Sequence, residues 1–421
     1  MEKTINFGIG YITGRPNICN IINSYYKYIL EQVKELDKKV NFTFFVLYDL
    51  NYLNTKEEDF YKVEEDVYKN IKIKYLTPKY VEEKKNEIKK RHKLTNEQAD
   101  LIIGKGYAKA RNTILYEAVQ EKIDYLLFWD DDEYPLAALR DGKNIKWMQQ
   151  KNVLQHIKHI EEADVTYGYR CGMINPLPFV EYNEIVTEDI YQQFIESIEN
   201  EVISWEKAQT MFKNDSGIGY ADETIATYKK EVEEVKNIGK ENFVLGSGIC
   251  LNLSHLDKIP AFYNPPEARG EDTFFSCALA TTGATVLRIP VYHFHDGFLK
   301  FKFLMEEKYP KRLRKITTED NGISNRFKKT TTGWTKYKPL LTYILDRDNY
   351  DDIIKTSKMK LKNSAKRVST AFENCDLTAL PDILEEYDRN VEKHYKEYLE
   401  TNKIWNQIKY EIKEQKNAGT N

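Results

Sequence analysis

Apolar and polar positions are arranged in blocks along this chain, and the period of the pattern switches repeatedly. Residues 5–12 (INFGIGYI) form an almost unbroken apolar run that stops at Thr13-Gly14-Arg15-Pro16, which predicts a buried strand closed by turn residues. Asn17 then stands as an N-cap for a helix over 18–36, with Ile18, Ile21, Ile22, Tyr25, Ile29, Val33 and Leu36 at helical spacing. Residues 42–48 and 71–76 predict two more strands, the first ending at Asp49. Residues 81–100 are so rich in charge that they predict a solvent-facing helix or loop. Gly104-Lys105-Gly106 opens a helix over 108–120, and the wholly apolar 125–129 (YLLFW) predicts a strand that runs straight into Asp130-Asp131-Asp132-Glu133.

A helix over 144–162, a strand over 164–169 and a strand-like stretch over 243–253 continue the alternation, the last enclosing Gly246-Ser247-Gly248. After Pro265-Pro266, Arg269-Gly270-Glu271-Asp272 leads a helix over 273–282. A last strand over 285–294 ends at His293-Phe294-His295-Asp296-Gly297. Strands alternating with helices predict an α/β fold with a mostly parallel, Rossmann-like central sheet flanked by helices. Residues 181–242 break the pattern and read as a helical acidic insert. From 299 onward the chain is Lys-rich and mostly helical. The expected organisation is thus an α/β domain over 1–298 and a helical C-terminal extension over 299–421.

Composition narrows the picture. The 421 residues carry 63 Lys and Arg against 66 Asp and Glu, a net charge of −3, which gives no support for a general nucleic-acid binder. That balance averages two opposed segments. Residues 181–242 hold 15 acidic and 6 basic residues, whereas 299–370 hold 19 basic and 8 acidic. The five cysteines (19, 171, 250, 277, 375) have no CxxC spacing, so buried thiols are expected rather than a disulfide framework or a zinc cluster. The first residues lack the long apolar stretch of a signal peptide, and no window nears the ~18 apolar residues of a membrane span. The expectation is a cytoplasmic protein whose contact with a membrane would be peripheral.

Several positions carry chemistry. At the carboxyl end of a strand in an open α/β sheet, where ligands gather, three successive aspartates repel one another. A hard divalent cation, Mn²⁺ or Mg²⁺, would offset that repulsion, with Asp130 and Asp132 on one face; a solvated acidic turn is the alternative. Lys105 and Arg111 at a helix start suit phosphate. Glu271 and Asp272 at another helix start are either caps or a carboxylate base aimed into a cleft. His293 and His295 are either structural or complete a metal site begun by carboxylates.

In their order, these pieces resemble the metal-dependent nucleotide-sugar glycosyltransferases of the GT-A fold, most closely the inverting family 2 type. The matching stretches are Tyr11-Ile12-Thr13, Asp49, Ala110-Arg111-Asn112, the DxD element Asp130-Asp131-Asp132, Gly246-Ser247-Gly248, Glu271-Asp272 and the histidine pair, together covering about residues 1–298. The resemblance implies that Thr13, Arg15, Asp49, Lys105, Arg111, Asp130 and Asp131 bind the nucleotide part of the donor. Asp130, Asp132 and either His293 or His295 would hold the metal. Asp272 would be the catalytic base, and Trp129, Gly246, Ser247, Arg269 and Glu271 would contact donor or acceptor sugar. The implied partners are a nucleoside-diphosphate sugar, a UDP-sugar by analogy, and a carbohydrate, glycoconjugate or protein acceptor, with no nucleic acid. The 181–242 insert would lie on the acceptor side. A sugar-1-phosphate nucleotidyltransferase is the rival enzyme, although 10–16 is poor in glycine for that class. A catalytically silent binding protein on the same fold is the rival without chemistry.

The tail carries three further expectations. A stripe of Leu384, Tyr387, Val391, Tyr395, Tyr398, Ile404 or Trp405, Ile408 and Ile412 is either a homodimer seam or a face packed on its own domain. The basic run 355–367 either meets an anionic membrane or is solvated. Arg326, Lys328 and Lys329 would form a lid over a diphosphate.

Overall fold

The computed structural model describes residues 4–173, 177–213, 218–297, 309–313 and 316–418. The strands are β1 (Ile5–Thr13), β2 (Val40–Tyr48), β3 (Lys72–Leu76), β4 (Tyr125–Trp129), β5 (Glu133–Tyr134), β6 (Leu136–Asp141), β7 (Asn144–Gln149), β8 (Val165–Met173), β9 (Ile218–Gly219), β10 (Glu233–Glu234), β11 (Ile249–Asn252) and β12 (Val286–Asp296). The α-helices are α1 (Ile18–Gln32), α2 (Glu65–Asn70), α3 (Pro78–Arg91), α4 (Asn96–Ile102), α5 (Tyr107–Gln120), α6 (Asn152–Ile160), α7 (Glu188–Ser197), α8 (Trp205–Lys213), α9 (Glu223–Ala226), α10 (Glu271–Leu279), α11 (Ile323–Leu345), α12 (Tyr350–Ser369), α13 (Leu380–Arg389) and α14 (Val391–Ala418).

The expected α/β architecture is present. The main sheet has the order β10-β12-β8-β11-β4-β1-β2-β3, with β5 added on β12 and β9 on β8. The pairs β1/β2, β2/β3, β1/β4 and β8/β12 are parallel, and β11 enters antiparallel between β4 and β8. Register sets which strand ends share an edge. Tyr11 lies opposite Trp129, and Thr13 opposite Tyr48, so the chain leaves β1, β2 and β4 on the same side of the sheet. Thr13, Asp49 and the aspartate run therefore emerge together, as ligand-binding ends do in open α/β sheets.

One face of the sheet packs on α1 and α6 through residues such as Ile9, Ile22, Tyr25 and Val153. The other face packs on α5 through Ile114 and Leu115, and the same cluster takes in Ile404, Trp405, Ile408 and Ile412 from α14. Trp405 is fully buried and donates its indole N–H to the Ile259 carbonyl at 3.0 Å. The apolar stripe of the tail is thus spent largely inside the chain: Leu384, Tyr387, Val391 and Tyr398 are buried as well. The junction proposed at 298/299 lies outside the described residues, but the tail on its far side shares the core of the α/β layers. Within the basic run, Lys358 pairs with Asp388 at 2.7 Å and Lys360 with Glu196 at 2.5 Å. Among the described residues no helix is long and apolar enough to cross a membrane. All five cysteines are free and buried, as expected.

Four expectations need correction. The helix over 144–162 begins only at Asn152, because 144–149 forms β7, which pairs back on β6 with Arg140 opposite Ile145. Asp141-Gly142 marks that hairpin, with Gly142 at φ +56, and Trp147 packs on Phe294 with ring centroids 4.9 Å apart. The strand over 243–253 is confined to Ile249–Asn252 because Gly248 takes φ +69; a Cβ there would sit 2.3 Å from His293 Cε1. Among its described residues the acidic insert is helical in α7, α8 and the one-turn α9, and Glu233–Glu234 joins the sheet edge. The charged stretch 81–100 resolves into α3 and α4, which do bury Val81, Ile88, Ala99 and Ile102.

Buried polar groups in the layers make stability depend on pH. His156 on α6 is wholly buried against Thr166, Nδ1 to Oγ1 at 2.8 Å, and burial lowers its pKa from 6.5 to about 3. The unfolded chain binds a proton below pH 6.5 that the folded chain refuses until about 3. This contribution is complete above about pH 6.5 and falls by about 1.4 kcal/mol per pH unit on acidification. Urea unfolding of His156→Gln should lose stability less steeply than the native chain between pH 6 and 4; parallel slopes would exclude His156 as the source.

Candidate active site

The aspartate run is short of counter-charge by itself, and three neighbouring elements supply it. Thr13, the last residue of β1, donates its hydroxyl to Asp131. Arg15, just beyond it, reaches Asp131 at 2.8 Å and Asp132 at 3.3 Å. Arg111 on α5 lies between the rings of Phe128 and Phe262, 5.0 and 5.7 Å from their centroids, and faces Asp130 at 3.7 Å and Glu271 at 3.4 Å. Antiparallel pairing of β5 with β12 puts Glu133 opposite His295, and the Asp296 N–H donates to the Asp132 carbonyl at 2.8 Å. That pairing brings His295 Nε2 to 3.7 Å from Asp132 Oδ1.

The three aspartates therefore differ electrostatically. Burial pushes Asp131 up to about 7 in spite of Arg15. Burial would also raise Asp132, but His295 and Arg15 outweigh it and hold this carboxyl below the ordinary range. Asp130 is the most open, with its side chain 39 % exposed on the rim.

The two histidines separate cleanly. His293, two residues before His295 on β12, faces Arg170 at 3.3 Å and Glu133 at 3.6 Å. Burial keeps its pKa well below 6.5 and, in the same cluster, raises Glu133 well above the ordinary value. Ser247 completes that cluster by hydrogen bonding to Glu133. His295 instead lines the open cavity beside Asp132.

That cavity has a volume of about 320 Å³, and its far wall is the start of α10. Gly270 at φ +90 turns the chain into α10 and leaves Glu271 and Asp272 in its first turn. Asp272 accepts from the Gly246 N–H and the Thr273 N–H, both at 3.0 Å, which holds the carboxylate against the glycine loop ahead of β11. Glu271, beside Arg111, is raised by burial and by Asp272. Arg269, Gly246, Ser247 and all three aspartates line the same space.

A second cavity of about 560 Å³ adjoins the first and shares Ile12, Arg15, Tyr52, Tyr107 and Asp131 with it. Thr13, Asp49 and Lys105 line it, together with the Gly104–Gly106 turn at the start of α5. The Asp49 carboxylate accepts from the Asn51 N–H at 3.0 Å. Apolar walls come from Leu47, Val81 and Ile103.

No protein-family model matches this chain, and no curated protein matches it either.

The residues that the resemblance assigns to the site thus fall into two joined cavities, with two exceptions; Lys328 and Lys329, expected in a lid, line neither cavity. Trp129 points to the opposite face of the sheet, where it is 3 % exposed and packs on Tyr25 with centroids 4.5 Å apart. The alternation of side chains along β4 makes it a core residue and not a sugar contact. His293 lies behind the cavity wall. Sequence reasoning missed Tyr52, Tyr107, Glu201, Trp334 and Tyr337, all of which line the first cavity. Trp334 and Tyr337, three apart on α11, carried a helical-face signal; Glu201 carried none. Arg326, expected in a lid, lines the same cavity from the first turns of α11.

Proposed function

We propose that this chain is a GT-A type glycosyltransferase, similar to family 2, that moves a sugar from a nucleoside-diphosphate sugar to an acceptor hydroxyl with inversion. The observation that carries the reading is the union, in one cavity, of the Asp132–His295 pair and the carboxylate of Asp272. That cavity opens into a second one walled by Thr13, Arg15, Asp49 and Lys105. The second cavity offers apolar walls for a base and a polar floor at Asp49. Arg15, at the passage between the two, suits a diphosphate.

Mn²⁺ or Mg²⁺ belongs to this reading. Among the described residues no group of three or more His, Cys, Asp or Glu side chains is arranged to hold a metal ion. The donor set is Asp132 and His295, with Asp130 on the rim. One or two protein ligands fit an ion whose remaining positions are filled by substrate phosphate and water, as Mg²⁺ is usually held. When bound, the ion would neutralise charge growing on the leaving diphosphate. Arg15 adds fixed positive charge on the same side.

Asp272 acts as the base. It takes the proton of the acceptor hydroxyl as that oxygen bonds to the anomeric carbon and the bond from that carbon to the diphosphate breaks. The sugar passes through a state resembling an oxocarbenium ion. Attack on the face opposite the leaving group inverts the anomeric centre, and no covalent nucleophile is needed.

A donor screen tests this. Protein with Mn²⁺ is offered UDP-, GDP- and dTDP-sugars while free nucleotide is measured. Release of nucleoside diphosphate, from a UDP-sugar above the others, is the expected result. Pyrophosphate release from a nucleoside triphosphate and a sugar 1-phosphate would instead mark a nucleotidyltransferase.

A further inference from the structure

The acidic segment between α7 and α8 sends one carboxyl into the first cavity. Within its own loop, Lys207 bonds the Glu201 backbone carbonyl at 2.7 Å. Its side chain crosses to two other helices. Thr273 Oγ1 on α10 hydrogen bonds to it, and the Tyr337 hydroxyl on α11 lies 3.1 and 3.2 Å from its two oxygens. Thr273 directly follows Asp272, so Glu201 and the base share one wall. Burial, with Asp272 adding to it, raises the Glu201 carboxyl to about 7.

We propose that Glu201 is an acceptor-binding residue: with Arg269 and Tyr337 it holds the hydroxyls of a carbohydrate acceptor beside Asp272. This assignment rests on the glycosyltransferase reading of the cavity. A carboxylate offers about four lone-pair positions, and Thr273 and Tyr337 do not exhaust them. Two carboxyls on one partly buried wall repel when both are ionised, and a ligand that donates a hydroxyl to each relieves that repulsion. Arg269 and the backbone of Gly246 and Gly270 add polar groups along the same rim. Carboxylate, guanidinium and phenol together suit a neutral polyhydroxyl ligand. A lipid chain would instead need a continuous apolar groove, and here the apolar side chains, Ile12, Val202 and Trp334, stand among carboxylates and arginines.

The test uses the full chain, the donor found by the screen, and the methyl glycosides of glucose, galactose, mannose and N-acetylglucosamine as acceptor probes. The native protein should glycosylate at least one of them. Glu201→Gln should raise the acceptor KM about tenfold or more, while donor KM and hydrolysis of the donor by water stay within about twofold. Tyr337→Phe, which adds no charge and removes one hydrogen bond to Glu201, should raise the acceptor KM by roughly fivefold and keeps the question open to test if Glu201→Gln unfolds. Donor hydrolysis without glycosylation of any probe would overturn the carbohydrate assignment. An unchanged acceptor KM, or equal loss of hydrolysis and transfer, would reduce Glu201 to a structural tie. A native protein that turns over no donor at all would bring down the underlying reading, and this assignment with it.

Discussion

Exchange of Asp272 for Asn is expected to slow release of nucleotide from the donor by roughly 10²–10⁴-fold, the usual contribution of a positioned general base. An amide has no basic oxygen to take the proton from the attacking hydroxyl or water. The site around it explains why the effect should be confined to the chemical step. Asp272 reaches neither Arg15 nor the second cavity; its partners are the N–H groups of Gly246 and Thr273. Affinity for free nucleoside diphosphate should therefore be retained, and titration calorimetry on the same preparation checks it. The variant carries a stability cost as well. Both carboxylate oxygens accept from backbone N–H groups, so one of them would meet an NH₂ group, at about 1–3 kcal/mol. Rates should be measured well below the melting temperature of the variant. Full turnover by folded Asp272→Asn protein would remove Asp272 from the role.

Chelation gives the second large effect. EDTA should lower donor turnover by about a hundredfold or more, because several kcal/mol of charge stabilisation go with the ion and each 1.4 kcal/mol is tenfold. Added Mn²⁺ should restore the native protein but not Asp132→Asn. The reason is local. Asp132 stands between Arg15 at 3.3 Å and His295 at 3.7 Å, and it keeps its charge although it is buried. His295→Ala should behave like Asp132→Asn. His293→Ala should leave the metal dependence as it is, since His293 faces Glu133 and Arg170 behind the wall. Turnover that EDTA leaves untouched would exclude the ion, and a His293→Ala variant that loses Mn²⁺ rescue would exchange the two histidines.

Much of this arrangement was legible along the chain. The run of apolar residues ahead of Asp130 marked β4, and strand ends with Thr13 and Asp49 marked the edge on which ligands gather. Gly270 ahead of Glu271-Asp272 marked a helix start, and the structure has α10 beginning at Glu271. Other features misled. Residues 144–149 carry Ile145 and Trp147 at strand spacing, yet their continuity with the helical pattern after 152 suggested one long helix. The apolar Trp129 sits next to the aspartates in sequence but faces away from them, because adjacent residues of a strand point to opposite sides.

Local pattern was sufficient for the α/β class, for its main strands and helices and for the neighbourhood of Asp130, Asp272 and the histidine pair, since each depends on periodicity and turn residues close in sequence. Which histidine meets the aspartates was a matter of register: β5 pairing on β12 sets His295, and not His293, beside Asp132. Long-range packing alone decided the rest. Glu201 comes from an acidic segment with no periodic signal, and Tyr337 from a helix of the tail. They meet at Thr273 because α10 and α11 are brought together by a shared apolar cluster that includes Phe274, Tyr337 and Tyr398. Contacts between residues 72 and 136 positions apart leave no mark in either stretch by itself.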